Sequence, residues 1–214
     1  MKIEHRTVSV FEENCYLVVD EATRHAVLID PGDEGGRIVR MVRESGATLD
    51  AIWLTHAHID HIGAINDVHA EYDVPVRLHP SDLPFYEQLS ARAAQMYGLP
   101  WDQPAAATEP LTEGDVLSCG ALDFTVMHVP GHAPGHVAFV GQGVTLSGDL
   151  LFAGSIGRTD LPLSDPRAMD QSLARFAALP EGTVIYPGHG PTTTIERELA
   201  TNPFLSGRAR TLKR

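Results

Sequence analysis

Apolar positions along the chain fall into short β-type runs and longer stretches with helical spacing. "CYLVV" (15–19) and "HAVLID" (25–30) are rich in β-branched residues and flank the polar "DEATR", which predicts a hairpin. "DPGD" (30–33) then breaks the strand, and Ile38, Met41 and Val42 lie at helical spacing within 34–45, with Gly46 placed as a C-terminal stop. "AIWLT" (51–55) reads as a strand. Ile62, Ile65, Val68 and Tyr72 predict a helix, followed by a strand at "VPVRL" (74–78) and a further helix within 82–97. After the Pro-rich loop "GLPWDQPAAATEP", three strands follow at "ALDFTVMHV", "HVAFV" and "GVTLSGD". Asp165-Pro166 supplies an N-cap and first-turn proline for the helix "RAMDQSLARFAAL", and "TVIYPG" is the last clear strand. Two runs of strands interleaved with helices predict an α/β (α+β) architecture of two mixed sheets with helices outside.

Polar motifs gather where these strands stop. "THAHIDH" places His56, His58, Asp60 and His61 directly after one strand; "VPGHAPGH" offers His132 and His136, "LSGDLLF" offers Asp149 and "YPGHG" offers His189. The last three strand ends each carry Gly or Pro-Gly just before the candidate residue, which lets the backbone come close to an ion. His56 and His58, two apart on near-extended backbone, can face one point, while Asp60 and His61 lie beyond and could reach a second ion. The plainer alternative is that these side chains only satisfy loop backbone groups; the recurrence at separate strand ends favours metal binding. His136, which opens the next strand, reads as a support that orients a ligand rather than as a ligand. His5, His25, His69, His79 and His128 have no such company and read as surface or packing residues.

With 214 residues and 43% hydrophobic content, the chain suits a single domain spanning 1–214. A formal charge of -12 argues against nucleic acid or an anionic membrane as a partner. The N-terminal "MKIEHRTVSV" has no apolar run after a basic stretch, so neither a signal peptide nor an anchor is expected. Cys15 and Cys119 are too few and too far apart for a disulfide framework, which points to reduced thiols and the cytoplasm.

The ordered set "THAHIDH", "PGHAPGH", "SGD" and "PGHG" resembles the metallo-β-lactamase superfamily over nearly the whole chain. That resemblance implies an αββα sandwich with two divalent metal ions at one edge. His56, His58 and His132 would bind one, Asp60, His61 and His189 the other, and Asp149 would bridge them. Within the superfamily, "NCYLV", "PGHAPGHVAFV", "SGDLLFAGSIGRTDLP" and "GHGPTTTIERELATNPFL" are similar to the short single-domain form of glyoxalase II. The implied activity is that of a hydroxyacylglutathione hydrolase: S-D-lactoylglutathione is cleaved to D-lactate and glutathione. β-Lactamases of this fold generally use a different second-metal set, so the Asp60-His61 pair speaks against that activity.

Nitrogen and carboxylate ligands without thiolate suit zinc, iron or manganese, so ligand type does not choose the metal; zinc is the expected one, with iron or manganese as alternatives. Water held between two such ions ionises near neutral pH and needs no separate base, with Asp60 and Asp149 the carboxylates expected to share in the chemistry. A thiol with a pKa of about 8.5 departs as thiolate without a proton donor, which fits a thioester better than an amide. Glutathione's carboxylates call for local positive charge, and Arg158 in "GSIGRTD" is the expected contact. Arg197, Arg208, Arg210, Lys213 and Arg214 cluster near the end, in a segment too short for the helical domain that helps bind glutathione in longer members.

A glutathione persulfide dioxygenase with a single iron keeps the same motif residues and resembles this chain in "GRTD", but usually has Cys where Ile156 stands. RNA processing would need an electropositive surface that a chain of this charge does not offer. A non-catalytic metal-binding or partner-binding module is the third alternative, and only activity excludes it.

Overall fold

The computed structural model describes residues 1–209 and 211. Arg210, Lys213 and Arg214 of the basic terminal cluster therefore lie outside the described residues. In the first sheet, β1 (Lys2–Val8), β2 (Glu13–Asp20) and β3 (His25–Ile29) run antiparallel. β4 (Thr48–Trp53), β5 (Val76–Leu78) and β6 (Glu109–Pro110) add to β3 in parallel. In the second sheet, β7 (Val116–Cys119), β8 (Leu122–His128), β9 (Val137–Gly141) and β10 (Val144–Gly148) form an antiparallel meander. A small hairpin of β11 (Leu151–Phe152) and β12 (Ser155–Ile156) follows. β13 (Val184–Pro187) then pairs parallel to β10, with β14 (Thr193–Thr194) at the edge.

The strand period of two sorts side chains into layers. Cys15, Leu17 and Val19 of β2 pack with Ile38, Met41 and Val42 of α1 (Gly35–Ser45) and with Ile65 and Val68 of α3 (Ile65–Glu71). Tyr16 and Val18 point the other way and join Trp53, Phe124, Phe139 and Leu146 between the sheets. The outer face of the second sheet places Ala138 and Ile185 against Met169, Leu173 and Phe176 of α5 (Pro166–Phe176) and Ile195 of α6 (Ile195–Thr201). These three apolar clusters separate four layers, so the αββα expectation holds. Cys15 and Cys119 are buried free thiols. No helix among the described residues is long and apolar enough to cross a membrane.

Several elements depart from the pattern reading, and the reasons are local. The helix expected across Ile62 to Tyr72 is observed as α3, starting only at Ile65, where the Ala64 N–H before it donates to the Pro31 carbonyl (2.9 Å); a short α2 (Ile59–Ile62) precedes it. The helix expected within 82–97 begins as a π-helical turn, Phe85–Leu89, and becomes α4 (Ser90–Tyr97) only afterwards. β1, β7, β14, α6 and the β11–β12 hairpin are additional to the sequence reading. β1 sits at a sheet edge and is mostly polar, which hides its strand pattern. Asp165 caps α5 as expected, accepting from the N–H groups of Arg167 and Ala168.

Candidate metal centre

The four strand ends converge. His56, His58, Asp60 and His61 follow β4 of the first sheet, while His132, Asp149 and His189 follow β8, β10 and β13 of the second. His56, His58 and His132 each present a ring nitrogen within 4.8 Å of the other two, and Asp60, His61 and His189 form a second group on the same criterion. Asp149 lies between the two groups. Its Oδ2 is 3.4 Å from His132 Nε2 and 3.4 Å from His189 Nε2, and its Oδ1 is 3.5 Å from His61 Nε2. Asp60 Oδ2 is 3.3 Å from His189 Nε2.

His56 Nε2, His61 Nε2 and Asp149 Oδ1 are buried and lack hydrogen-bond partners among the described residues. His58 Nδ1 and His132 Nε2 face each other at 2.8 Å. Buried polar atoms left unpaired cost free energy, so a set of them pointing inward fits a cation that would use their lone pairs. The donors are nitrogen and carboxylate oxygen with no sulfur, which suits zinc, iron or manganese.

Surrounding groups fix the rings. His132 Nδ1 donates to the Arg158 carbonyl (2.8 Å), and the Thr55 hydroxyl lies 3.0 Å from His56 Nδ1. His136 is fully buried, and its Nε2 accepts from the Asp149 N–H (3.2 Å). Its position therefore matches the supporting role read from the sequence rather than membership of either group. Gly188 permits the approach of the His189 loop, because a Cβ there would sit 2.2 Å from Asp149 Oδ1. Gly148 adopts φ 47°, where a Cβ would meet His136 Nε2 at 2.7 Å.

Three supporting residues were not singled out from the sequence. Asp30, at the end of β3 in "LIDPGD", accepts from the Thr55 N–H (2.7 Å), the Thr55 hydroxyl (2.6 Å) and His61 Nδ1 (3.0 Å). Its place at a strand end is the signal that could have found it. Asp82 joins two motif loops, accepting from the Ala57 N–H (2.9 Å) between His56 and His58 and from the Gly135 N–H (2.5 Å) before His136. Asn14 secures the His189 loop, its Nδ2 donating to the Pro187 carbonyl (3.2 Å) and the Gly190 carbonyl (2.9 Å). Arg158 lines the cleft beside these residues and is engaged by Asp160 through Nε (2.7 Å) and Nη2 (3.0 Å). The other histidines lie elsewhere: His25 pairs with Asp50 at 2.8 Å, and His79 stacks on His128 at 4.2 Å.

Electrostatically the groups differ. Burial, reinforced by neighbouring histidines, holds His56 and His136 well below the usual histidine range and His58 at about 3; His132 is also lowered, chiefly by burial. Burial opposes protonation of His189 too, but its hydrogen bonds to Asp149 and Asp60 push it up to about 11. Burial would raise Asp149, yet His61, His189 and His132 hold it well below the usual carboxylate range. The buried Glu13 and Asp82 carboxyls go up, Asp82 to about 6, chiefly through desolvation.

These directions give the metal-free protein a defined response to acid. As pH falls through the ordinary histidine range, the unfolded chain takes up protons on His56, His58, His132 and His136 that the fold resists, so unfolding becomes easier. Glu13 and Asp82 act in the opposite sense: the fold retains their protons, on Asp82 up to about pH 6, where the unfolded chain has released them. Four imidazoles outweigh two carboxyls, so stability is expected to fall from pH 6 to pH 5. Urea midpoints of chelator-treated protein at pH 6 and pH 5 check this; an unchanged or rising midpoint would contradict the assignment of buried neutral imidazoles.

A family model described as the metallo-beta-lactamase superfamily matches residues 8–189. The hydroxyacylglutathione hydrolase GloC of Haemophilus influenzae is 35% identical over 214 residues, covering 98% of this chain and 100% of the relative. Among solved structures, TTHA1623 in a di-iron-bound form superposes with a TM-score of 0.87 at 46% identity, covering 94% of this chain and 100% of that one. BLEG-1, described as a B3 metallo-beta-lactamase, superposes with a TM-score of 0.90 at 36% identity, covering 96% and 100%. The layered fold, the converging histidines and this breadth of similarity agree, and the chain belongs to the metallo-β-lactamase superfamily.

Proposed function

We propose that the protein is a two-metal hydrolase of glutathione thioesters, with S-D-lactoylglutathione as a substrate. The observation that carries this reading is Asp149, a single carboxylate within 3.5 Å of imidazoles from both groups. His56, His58 and His132 would hold one metal, Asp60, His61 and His189 the other, and Asp149 would be shared. When bound, such a pair lowers the pKa of a water between the ions and polarises a carbonyl.

The chain's own residues supply the rest. The neutral imidazoles of His56, His58 and His132 keep their lone pairs free at physiological pH. Against the effect of burial, neighbouring histidines hold Asp149 and Asp60 below the usual carboxylate range, so both stay ionised and would supply negative charge to the site. The departing thiol can leave as thiolate without a proton donor. Arg158 at the cleft wall is the proposed partner of a glutathione carboxylate, exchanging part of its contact with Asp160. The free buried cysteines support a cytoplasmic setting, and the acidic charge supports a small-molecule substrate over nucleic acid.

Thiol release from S-D-lactoylglutathione under argon tests this reading, run beside oxygen uptake with glutathione persulfide and hydrolysis of a chromogenic cephalosporin. Thiol release without oxygen uptake or cephalosporin cleavage is expected. Oxygen uptake as the main activity would support the mononuclear-iron dioxygenase, against which the apolar Ile156 at the cleft argues. Arg158→Ala should raise KM about tenfold with little change in kcat, as expected for loss of a charge-assisted contact made equally to substrate and transition state.

A further inference from the structure

The cleft over the candidate metal centre holds about 560 Å³, and its walls are more apolar than a lactoyl group would use. The π-helical turn presents Phe85 and Leu89, the end of α4 presents Met96 and Tyr97, and Phe152 and Leu161 line the other side. π-Helical turns cluster at functional sites, and this one sets Phe85 edge-on to His58 with ring centroids 4.6 Å apart. Phe152 stands in the same way to His189 at 5.8 Å, so apolar rings flank both histidine groups. At the rim, Met96 is 83% exposed and Tyr97 54% exposed, with Phe11 in edge contact with Tyr97 at 5.6 Å.

Glutathione's two carboxylates and its ammonium gain nothing from such walls, and their desolvation there would go uncompensated. The arginines bordering the cleft among the described residues are Arg92 and Arg158. Lactoyl brings one methyl group and a hydroxyl, which leaves most of the apolar wall uncovered. An exposed apolar surface continuous with a site of chemistry marks a place for an apolar ligand group.

Resting on the thioester-hydrolase reading, we propose that the cleft selects glutathione thioesters whose acyl part is an aliphatic chain longer than lactoyl, packed along Phe85, Leu89 and Met96. Hydrolysis is balanced by water alone: the C–S bond breaks, a C–O bond forms, and a fatty acid and glutathione thiol leave. Each methylene taken from water into the cleft should favour the longer substrate about two- to fourfold.

Two measurements on the metal-loaded protein test this, both below micelle-forming concentrations. Calorimetric Kd values for S-methyl-, S-hexyl- and S-octylglutathione, thioethers that cannot be hydrolysed, should fall about two- to fourfold per methylene. The kcat/KM values for the propanoyl, hexanoyl and octanoyl thioesters should rise by the same factor. Met96→Asp, a change at an exposed position, should flatten both slopes. Kd values independent of chain length, or slopes unaltered in the variant, would overturn the proposal. If S-D-lactoylglutathione is cleaved while kcat/KM falls with chain length, the acyl preference fails and the hydrolase reading stands. No thiol release from any thioester would overturn both.

Discussion

Asp149→Asn should lower kcat/KM for S-D-lactoylglutathione by about a thousandfold or more, while the protein remains folded. The substitution keeps the shape of the side chain and removes its charge. Its two oxygens face different imidazoles: Oδ2 stands 3.4 Å from His132 and from His189, and Oδ1, which has no hydrogen-bond partner among the described residues, stands 3.5 Å from His61. An amide presents one acceptor and one donor and carries no negative charge to set against two cations. The Asp149 N–H still donates to His136, so the loop itself keeps its anchor. Metal analysis separates this from general misfolding: the variant should lose bound metal while its circular dichroism is unchanged. Retention of full activity and metal would remove Asp149 from the bridging position.

Asp30→Ala should cost about 4 kcal/mol of stability and lower metal affinity about tenfold to a hundredfold. Its carboxylate is buried and satisfies three donors: the Thr55 N–H, the Thr55 hydroxyl and His61 Nδ1. Truncation leaves those donors buried without acceptors, which is the expensive way to lose a hydrogen bond. It also frees the His61 ring, whose orientation the contact at Nδ1 maintains. Asp30→Asn turns one acceptor oxygen into a donor and should recover only part of the loss. Urea unfolding gives the stability difference, and chelator competition gives the affinity. A loss under 1 kcal/mol would mean that the neighbouring backbone readily replaces Asp30.

These two aspartates show why the sequence was unevenly legible. Asp149 stands in "LSGDLLF", one of several Gly-marked strand ends bearing a metal-binding residue type, and its resemblance to a family motif makes it visible. Asp30 stands at a strand end too, but "DPGD" reads equally well as an ordinary turn. Asp82 and Asn14 are single polar residues whose partners lie far along the chain: Asp82 meets Gly135, and Asn14 meets Pro187 and Gly190. No spacing rule announces such contacts, because only the packed fold brings them together.

The secondary structure was legible where burial imposed a period. β2 and β3 alternate between two apolar clusters, and the helix at 34–45 shows one apolar face, so pattern sufficed for both. It failed where one tertiary contact outweighed the local signal, as when the Pro31 carbonyl takes the Ala64 N–H and the helix after the histidine motif starts only at Ile65. That late start is tied to the site, since a Cβ at Gly32 would lie 1.7 Å from the Asp60 carbonyl oxygen and one at Gly63 would lie 2.4 Å from that of Gly32. The turn after β3 and the short helix α2 bearing Asp60 and His61 are packed backbone to backbone.

The most direct measurement is a metal titration of the chelator-treated protein under argon, following bound metal and thiol release from S-D-lactoylglutathione in the same samples. Activity should rise to a plateau at two equivalents per chain with no dioxygen required. A plateau at one equivalent of iron, with turnover only when dioxygen is admitted and persulfide supplied, would contradict the two-metal hydrolase.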